Sequence, residues 1–208
     1  MFEAVIWDFG GVLTASPFEA FARFERERGL PEHFLRRVNA TNHLDNAWAR
    51  LERAEIDHDT FDELFAAECR ALGQEVRGRD VLPLLAGAPR PAMAEALRRV
   101  HGRLKTGCIT NNLPVGRGNS MASMYTSDVM MHFDHVIESA KAGLRKPDPR
   151  IYQMMVAALG VAPAACIYLD DLGVNLKPAR AMGMATIKVV DPAAALDELE
   201  ALVGFALR

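Results

Sequence analysis

The sequence predicts an α/β fold: a parallel sheet with helices on both faces, interrupted by an inserted all-helical cap. Three observations carry that expectation. Five short apolar runs read as buried strands, at residues 4–7, 106–110, 135–139, 166–170 and 186–190. Stretches of helical period separate the last four. Between the first two, from 17 to 89, no strand pattern occurs. Alternation of strand and helix of this kind folds as a parallel sheet buried on both sides.

Each element has its own justification. The first run, Ala4-Val5-Ile6-Trp7, is wholly apolar and stops at Asp8. In the insertion, Phe18, Phe21 and Phe24, and later Phe61, Leu64, Phe65 and Cys69, recur at helical spacing. Trp48, Leu51 and Ile56 mark a further helix or its exit, and Asp57 and Asp59 are candidate N-caps for the helix carrying Phe61. Leu97, Val100 and Leu104 predict a helix before the second strand. Ile151, Met154, Met155, Ala158 and Leu159 predict one before the fourth, with Pro147 opening it. Residues 116–120 read as a mobile loop. Met121, Met124, Met130 and Met131 read either as core filling or as a contact surface, and Arg117 as a substrate contact near the second strand's end. The resulting division is a core domain of residues 1–16 and 90–208 with a cap domain at 17–89. A helical insertion in that position reads as a lid over the sheet edge.

Composition removes several classes. Lys plus Arg is 24 against 27 Asp plus Glu, a net charge of −3, which lacks the basic excess of a nucleic-acid binder. The apolar runs are far too short for a membrane span. The N-terminal MFEAVIWDFG has no secretory pattern, so a cytoplasmic location is expected. Cys69, Cys108 and Cys166 are odd in number and scattered among apolar segments, which predicts reduced thiols. No CxxC or HxxxH spacing suggests zinc.

The polar residues fall where a parallel sheet binds ligands, beyond the carboxyl ends of its strands. Strand one ends in Asp8-Phe9-Gly10-Gly11, strand two in Thr110-Asn111-Asn112, and strand four in Asp170-Asp171 with Asn175 behind. Lys141, Arg145 and Lys146 follow strand three. So many polar groups at one buried edge are costly unless they serve chemistry. Asp8 and Asp171 suit Mg²⁺, which prefers oxygen ligands. Lys146 adds a positive charge, Thr110 and Asn111 supply donors for phosphate oxygens, and Gly10-Gly11 lets backbone N–H groups approach closely. An aspartate at such a site can attack phosphorus and form an aspartyl-phosphate.

The stretches Asp8-Phe9-Gly10-Gly11-Val12-Leu13, Thr110-Asn111-Asn112, Lys146-Pro147-Asp148-Pro149 and Leu169-Asp170-Asp171 resemble, in order, the four motifs of the haloacid dehalogenase (HAD) superfamily of hydrolases. From Lys146 through Arg180, and again at Asp191-Pro192, the chain is similar to two members. One is the N-terminal phosphatase domain of soluble epoxide hydrolase, the other the related domain fused to certain acyl-CoA dehydrogenases. The resemblance implies a Rossmann-like sheet with a helical cap inserted after the first strand. It implies that Asp8 is the nucleophile and that Thr110 and Asn111 hold the phosphoryl group. It implies that Lys146 neutralises Asp8 and the phosphate. It also implies a Mg²⁺ held by Asp8, the Gly10 carbonyl and Asp171, with Asp170 supporting directly or through water and Asn175 orienting the cluster.

One position departs from the family. The second Asp that usually protonates the leaving alcohol is here Gly10, and acid–base help of that kind is typically worth about 10²–10⁴ in rate. A slow or selective Mg²⁺-dependent phosphomonoester hydrolase acting on a small phosphorylated metabolite is therefore expected. His43 or His58 from the cap are candidate substitutes for the missing acid. A metal-independent 2-haloacid dehalogenase and a non-catalytic phosphate-binding or interaction module are the alternatives. Neither nucleic acid nor membrane is expected as a partner, and monomer and homodimer stay equally open.

Overall fold

The computed structural model describes residues 1–114 and 127–208. The expected loop at 116–120, Arg117, Met121 and Met124 lie outside them. Five strands form one sheet: β1 (Ala4–Trp7), β2 (Lys105–Thr110), β3 (His135–Glu138), β4 (Cys166–Asp170) and β5 (Ala185–Lys188). All pairings are parallel, in the order β3-β2-β1-β4-β5. The chain builds outward from β1 to β3, then returns to the other side of β1, so the strand order reverses beside β1. That reversal leaves a crevice at the carboxyl ends of β1 and β4.

The period of two along β1 divides the core. Val5 and Trp7 pack on one face with Met93, Leu97 and Val100 of α6 (Pro91–Val100). Ala4 and Ile6 face the other side, with Ile151, Tyr152 and Met155 of α9 (Pro149–Leu159). The helix α10 (Gly173–Ala181) joins α9 on its face, and α11 (Pro192–Val203) joins α6. Burial on both faces explains why the central strands β1 and β4 read as nearly continuous apolar runs.

Local chemistry shifts two boundaries and one side chain. The α6 helix ends at Val100, and Leu104 lies beyond it, partly buried against the same core. The α9 helix opens at Pro149 rather than Pro147, because the Asp148 carboxylate caps it by accepting from the Arg150 N–H at 2.9 Å. Met154 falls on the outer side of α9, 42% exposed, while Met155 is fully buried.

Between β1 and β2 lie α1 (Pro17–Arg28), α2 (Phe34–Ala40), α3 (Ala47–Glu52), α4 (His58–Ala71), α5 (Gly78–Val81) and a single tight turn at Leu82–Leu85. Asp57 is the N-cap of α4, accepting from the Thr60 N–H at 2.8 Å, and Asp59 sits inside its first turn. These helices bury their own apolar cluster. Trp48 packs on Phe61 with ring centroids 4.8 Å apart, and Phe61 stacks on Phe65 at 5.3 Å. Trp48 and Phe21 therefore spend their apolar faces on helix packing.

The segments entering and leaving this insertion run side by side. Thr14 and Pro89 form an antiparallel bridge, flanked by Ala15 N–H to Ala88 O at 2.7 Å and Arg90 N–H to Leu13 O at 2.9 Å. No strand-like propensity announced this neck; its hydrogen bonds come from two stretches far apart in sequence. The remaining short helices are α7 (Ser127–Met130) and α8 (Ser139–Ala142). No helix among the described residues is long and apolar enough to cross a membrane.

Adjacent methionines test the packing of α9. Met155→Ala is expected to cost about 2–5 kcal/mol in urea unfolding, the usual range for truncating a buried Met. Met154→Ala is expected to stay within about 0.5 kcal/mol.

Candidate active site

Strand register assembles the site. Trp7 sits opposite Cys108 on β2 and Leu169 on β4, so the next residue, Asp8, falls level with Ile109 and Asp170. Thr110 ends β2 one residue further and is buried at 5% exposure. The loop after α8 brings Lys146 in from the side. Its Nζ lies 2.7 Å from Asp8 Oδ1 and 2.8 Å from Asp170 Oδ2, with the side chain 1% exposed. Burial alone would pull this ammonium down, but Asp170 and Asp8 overcome that and hold it protonated, above the ordinary lysine value.

The two carboxylates beside the lysine differ in availability. Asp170 is saturated. Its Oδ1 accepts from the Leu172 N–H at 2.8 Å and Asn175 Nδ2 at 3.0 Å, and its Oδ2 from Lys146 and from the Tyr168 hydroxyl at 2.5 Å. Asn175 thus clamps Asp170, and Tyr152 secures Asn175 by donating to its carbonyl at 2.7 Å. Asp8 Oδ1 takes Lys146 and the Phe9 N–H at 2.7 Å. Its Oδ2 accepts no hydrogen bond among the described residues, which leaves one carboxylate oxygen for chemistry.

Asp171 is the third acid. Its Oδ2 accepts from Ser16 Oγ at 3.1 Å. Asp8, Asp170 and Asp171 each place an oxygen within 4.8 Å of the others. Burial raises Asp8 well above the usual carboxylate range; Lys146 opposes this, while Asp170 and Asp171 push it further up. Burial and then Asp170 raise Asp171, against Ser16 and Lys146. Three acids face one lysine, all with oxygen donors, and they repel one another. That donor set and charge excess fit a small hard dication such as Mg²⁺.

The two glycines behave differently. Gly11 has φ +80°, and a Cβ built on it would lie 2.2 Å from Asp171 Oδ2. Only glycine lets the loop and Asp171 coexist. Its carbonyl also accepts from the Arg90 guanidinium. Gly10 is different: a Cβ there would meet nothing within 4 Å. The space where the family's usual acid would stand is open.

Asn111 is placed otherwise than as a simple phosphate donor. Its Oδ1 accepts from the Lys146 N–H at 2.8 Å, and its Nδ2 donates to Lys146 O and to Glu52 Oε2, both at 3.1 Å. The side-chain amide is spent on the lysine's backbone and on α3. Asn112 likewise ties β2 to Glu138 and to the first turn of α8. His43 is exposed and takes part through its backbone carbonyl, which accepts from Arg145 Nη1 at 2.9 Å. His58 lies in the first turn of α4, with its Nε2 buried and without a hydrogen-bond partner among the described residues. Neither imidazole contacts the acids around Lys146.

Four contributors were missed in the sequence. Tyr168 carried a readable signal, since positions two apart on a strand share a face and Tyr168 precedes Asp170 by two. Ser16, Arg90 and Glu52 carried none, because each reaches the site through tertiary contacts. The three cysteines are free and buried, and burial pushes the Cys166 thiol up to about 11.

The chain belongs to the haloacid dehalogenase-like hydrolases: the family pattern matches residues 2–183. It is 34% identical over 212 residues to acyl-CoA dehydrogenase family member 10 of Mus musculus, covering 99% of this chain and 20% of that protein. It is 31% identical over 218 residues to bifunctional epoxide hydrolase 2 of Sus scrofa, covering 99% of this chain and 39% of that protein. The chain thus spans between about a fifth and two-fifths of these relatives. It is also 33% identical over 193 residues to phosphatase MT3486 of Mycobacterium tuberculosis, covering 88% of this chain and 84% of that protein. Among solved structures, a HAD family enzyme of Bacteroides thetaiotaomicron in complex with magnesium and inorganic phosphate shares the fold. The TM-score is 0.58 at 16% identity, covering 90% of this chain and 94% of that one.

The strain among the acids predicts a stability signature. The raised pKa of Asp171 means the folded chain holds that proton more tightly than the unfolded chain. Stability is therefore lost as pH rises from the ordinary carboxylate value through the raised one. In metal-free protein, Asp171→Asn is expected to raise Tm at pH 8 and to change it less at pH 5. Gly11→Ala is expected to lower Tm at both pH values, because it strikes Asp171 and strains the loop. Differential scanning calorimetry reads all three proteins.

Proposed function

We propose that the chain is a Mg²⁺-dependent phosphomonoester hydrolase acting on a small phosphorylated metabolite through an aspartyl-phosphate. The observation that carries this reading is the buried Lys146 ammonium bridging Asp8 and Asp170 beside a third acid, Asp171. The phosphatase among its relatives supports it.

In this reading Asp8 Oδ2 attacks phosphorus, and the bond from phosphorus to the alcohol oxygen breaks. Lys146 balances the charge of Asp8 and of the transferring phosphoryl group. The Thr110 hydroxyl and backbone N–H groups of the Gly10-Gly11 loop hold its oxygens. Water then hydrolyses the aspartyl-phosphate to phosphate and free Asp8. Asp8, the Gly10 carbonyl and Asp171 would hold the Mg²⁺, with Asp170 and Asn175 behind them. When bound, the ion offsets repulsion between the acids and an anionic substrate. Residues 17–89 form the cap domain on a core of 1–16 and 90–208, and the cap closes the site against water.

With Mg²⁺ and p-nitrophenyl phosphate, the wild type is expected to turn over, and Asp8→Asn to lose roughly 10³-fold or more in kcat. Equal rates for the two proteins overturn the reading. Gly10→Asp probes the open space. A Cβ there meets nothing within 4 Å, and the added carboxyl group is expected to raise kcat on an alkyl phosphate such as glycerol 2-phosphate by roughly 10²-fold. On p-nitrophenyl phosphate, whose leaving group needs little protonation, the gain is expected to be much smaller.

A further inference from the structure

Glu52, the last residue of α3, reaches out of the helical insertion to the backbone that carries Lys146. Its Oε2 accepts from Arg145 Nε at 2.5 Å and from Asn111 Nδ2 at 3.1 Å. Arg145 immediately precedes Lys146, and Asn111 brackets the lysine's own N–H and C=O. Arg145 makes a second tie to the insertion through His43 O. The Glu52 and Arg145 side chains are only 16% and 19% exposed, so water screens the pair poorly.

We infer that Glu52 is a positioning residue. It holds the Lys146 backbone from both sides, through Arg145 and Asn111, so that seating the helical insertion and seating the lysine between Asp8 and Asp170 are one event. The contacts alone carry the tie; its kinetic consequence rests on the phosphatase reading.

The chemistry fits the role. A lysine side chain is long and has many rotamers, so the ammonium is placed well only if its backbone is fixed. The Lys146 side chain is 1% exposed, so bulk solvent does not reach it, and a displacement on the scale of 1 Å can cost about 10²-fold in rate. A single carboxylate oxygen serves both the guanidinium and the amide. Removing it leaves Arg145 and Asn111 without their shared acceptor and frees the segment that carries the lysine. Glutamine keeps an acceptor oxygen but not the charge, so it should restore part of the effect.

Two readouts test this. The first is independent of turnover: the rate at which acetic anhydride labels each lysine, read by peptide mass spectrometry. Lys177 is exposed and serves as reference; Lys105, exposed at the start of β2 with its Nζ on Leu159 O at the end of α9, reports whether that tie away from the site loosens. In Glu52→Ala, Lys146 labelling is expected to rise roughly fivefold or more over Lys177 while Lys105 stays unchanged, with Glu52→Gln in between. The second is kinetic. In Glu52→Ala, kcat on p-nitrophenyl phosphate is expected to fall about tenfold or more, with KM changing less and Glu52→Gln recovering part.

Lys146 labelling that stays at the wild-type rate in Glu52→Ala overturns the inference. So does a rise that Lys105 shares, which is general destabilisation. In an active enzyme, a kcat within twofold of wild type overturns it as well. A wild type without turnover defeats the phosphatase reading instead, and the labelling then decides the tie alone.

Discussion

The rest of the site depends on one buried ammonium. Lys146 lies under the crevice with its Nζ between Asp8 and Asp170. Taking a charge of either sign out of water costs several kcal/mol unless partners replace the solvent. Here each partner compensates the other's burial, and neither carboxylate could sit there without the lysine. Asp170 completes the arrangement because Tyr168, Asn175 and the Leu172 N–H fill its remaining capacity. A saturated carboxylate is a fixed counter-charge. The fixed lysine then occupies one oxygen of Asp8 and leaves the other facing the crevice.

Topology delivers these groups from separate parts of the chain. With β1 at the centre of the sheet, residues just past β1, β2 and β4 converge without any being near another in sequence. The helical insertion leaves the sheet after the first of these, and both the segment leading into it and one of its own helices touch the site. Ser16, the residue before α1, donates to Asp171. Glu52, at the end of α3, holds Asn111 and Arg145. One contact lies on the side of the third acid, the other on the side of the lysine. The neck at Thr14 and Pro89 stands at the base of the insertion, and Arg90, the next residue, grips the carbonyl of Gly11. The insertion and its neck thereby contact both flanks of the site.

Much of this was legible in the sequence, for definite reasons. The central strands β1 and β4 showed because both of their faces are buried, so their sequences are almost wholly apolar up to the closing acid. The acids showed as a set: one carboxylate at a strand end is often only a cap or turn residue, but several polar groups at one sheet edge are costly to bury. Asn111 was legible as a polar residue at the end of β2. From sequence it looked like a donor aimed at ligand, and the fold turns it toward the Lys146 backbone. The short α2 helix escaped notice although Phe34, Leu35 and Val38 carry its buried face, because seven residues give too little periodicity. Glu52 could not have been found at all. A glutamate closing a helix is ordinary on a surface, and only the docking of α3 beside Lys146 gives it a partner.

Gly10 and Gly11 show how adjacent, identical residues answer to different constraints. Gly11 is dictated by geometry: its φ lies in the left-handed region and Asp171 occupies the space a side chain would need. Any other residue there would break the acidic cluster. Gly10 is under no such constraint, since its backbone accepts a side chain and the space beside it is open. Sterics therefore do not explain the glycine at position 10. In the phosphatase reading proposed above, a site with a fixed cation and Asp8 Oδ2 free, but with no carboxyl group at position 10, would stabilise the transferring group more than the departing one, and would discriminate among substrates by how readily the leaving oxygen departs unaided.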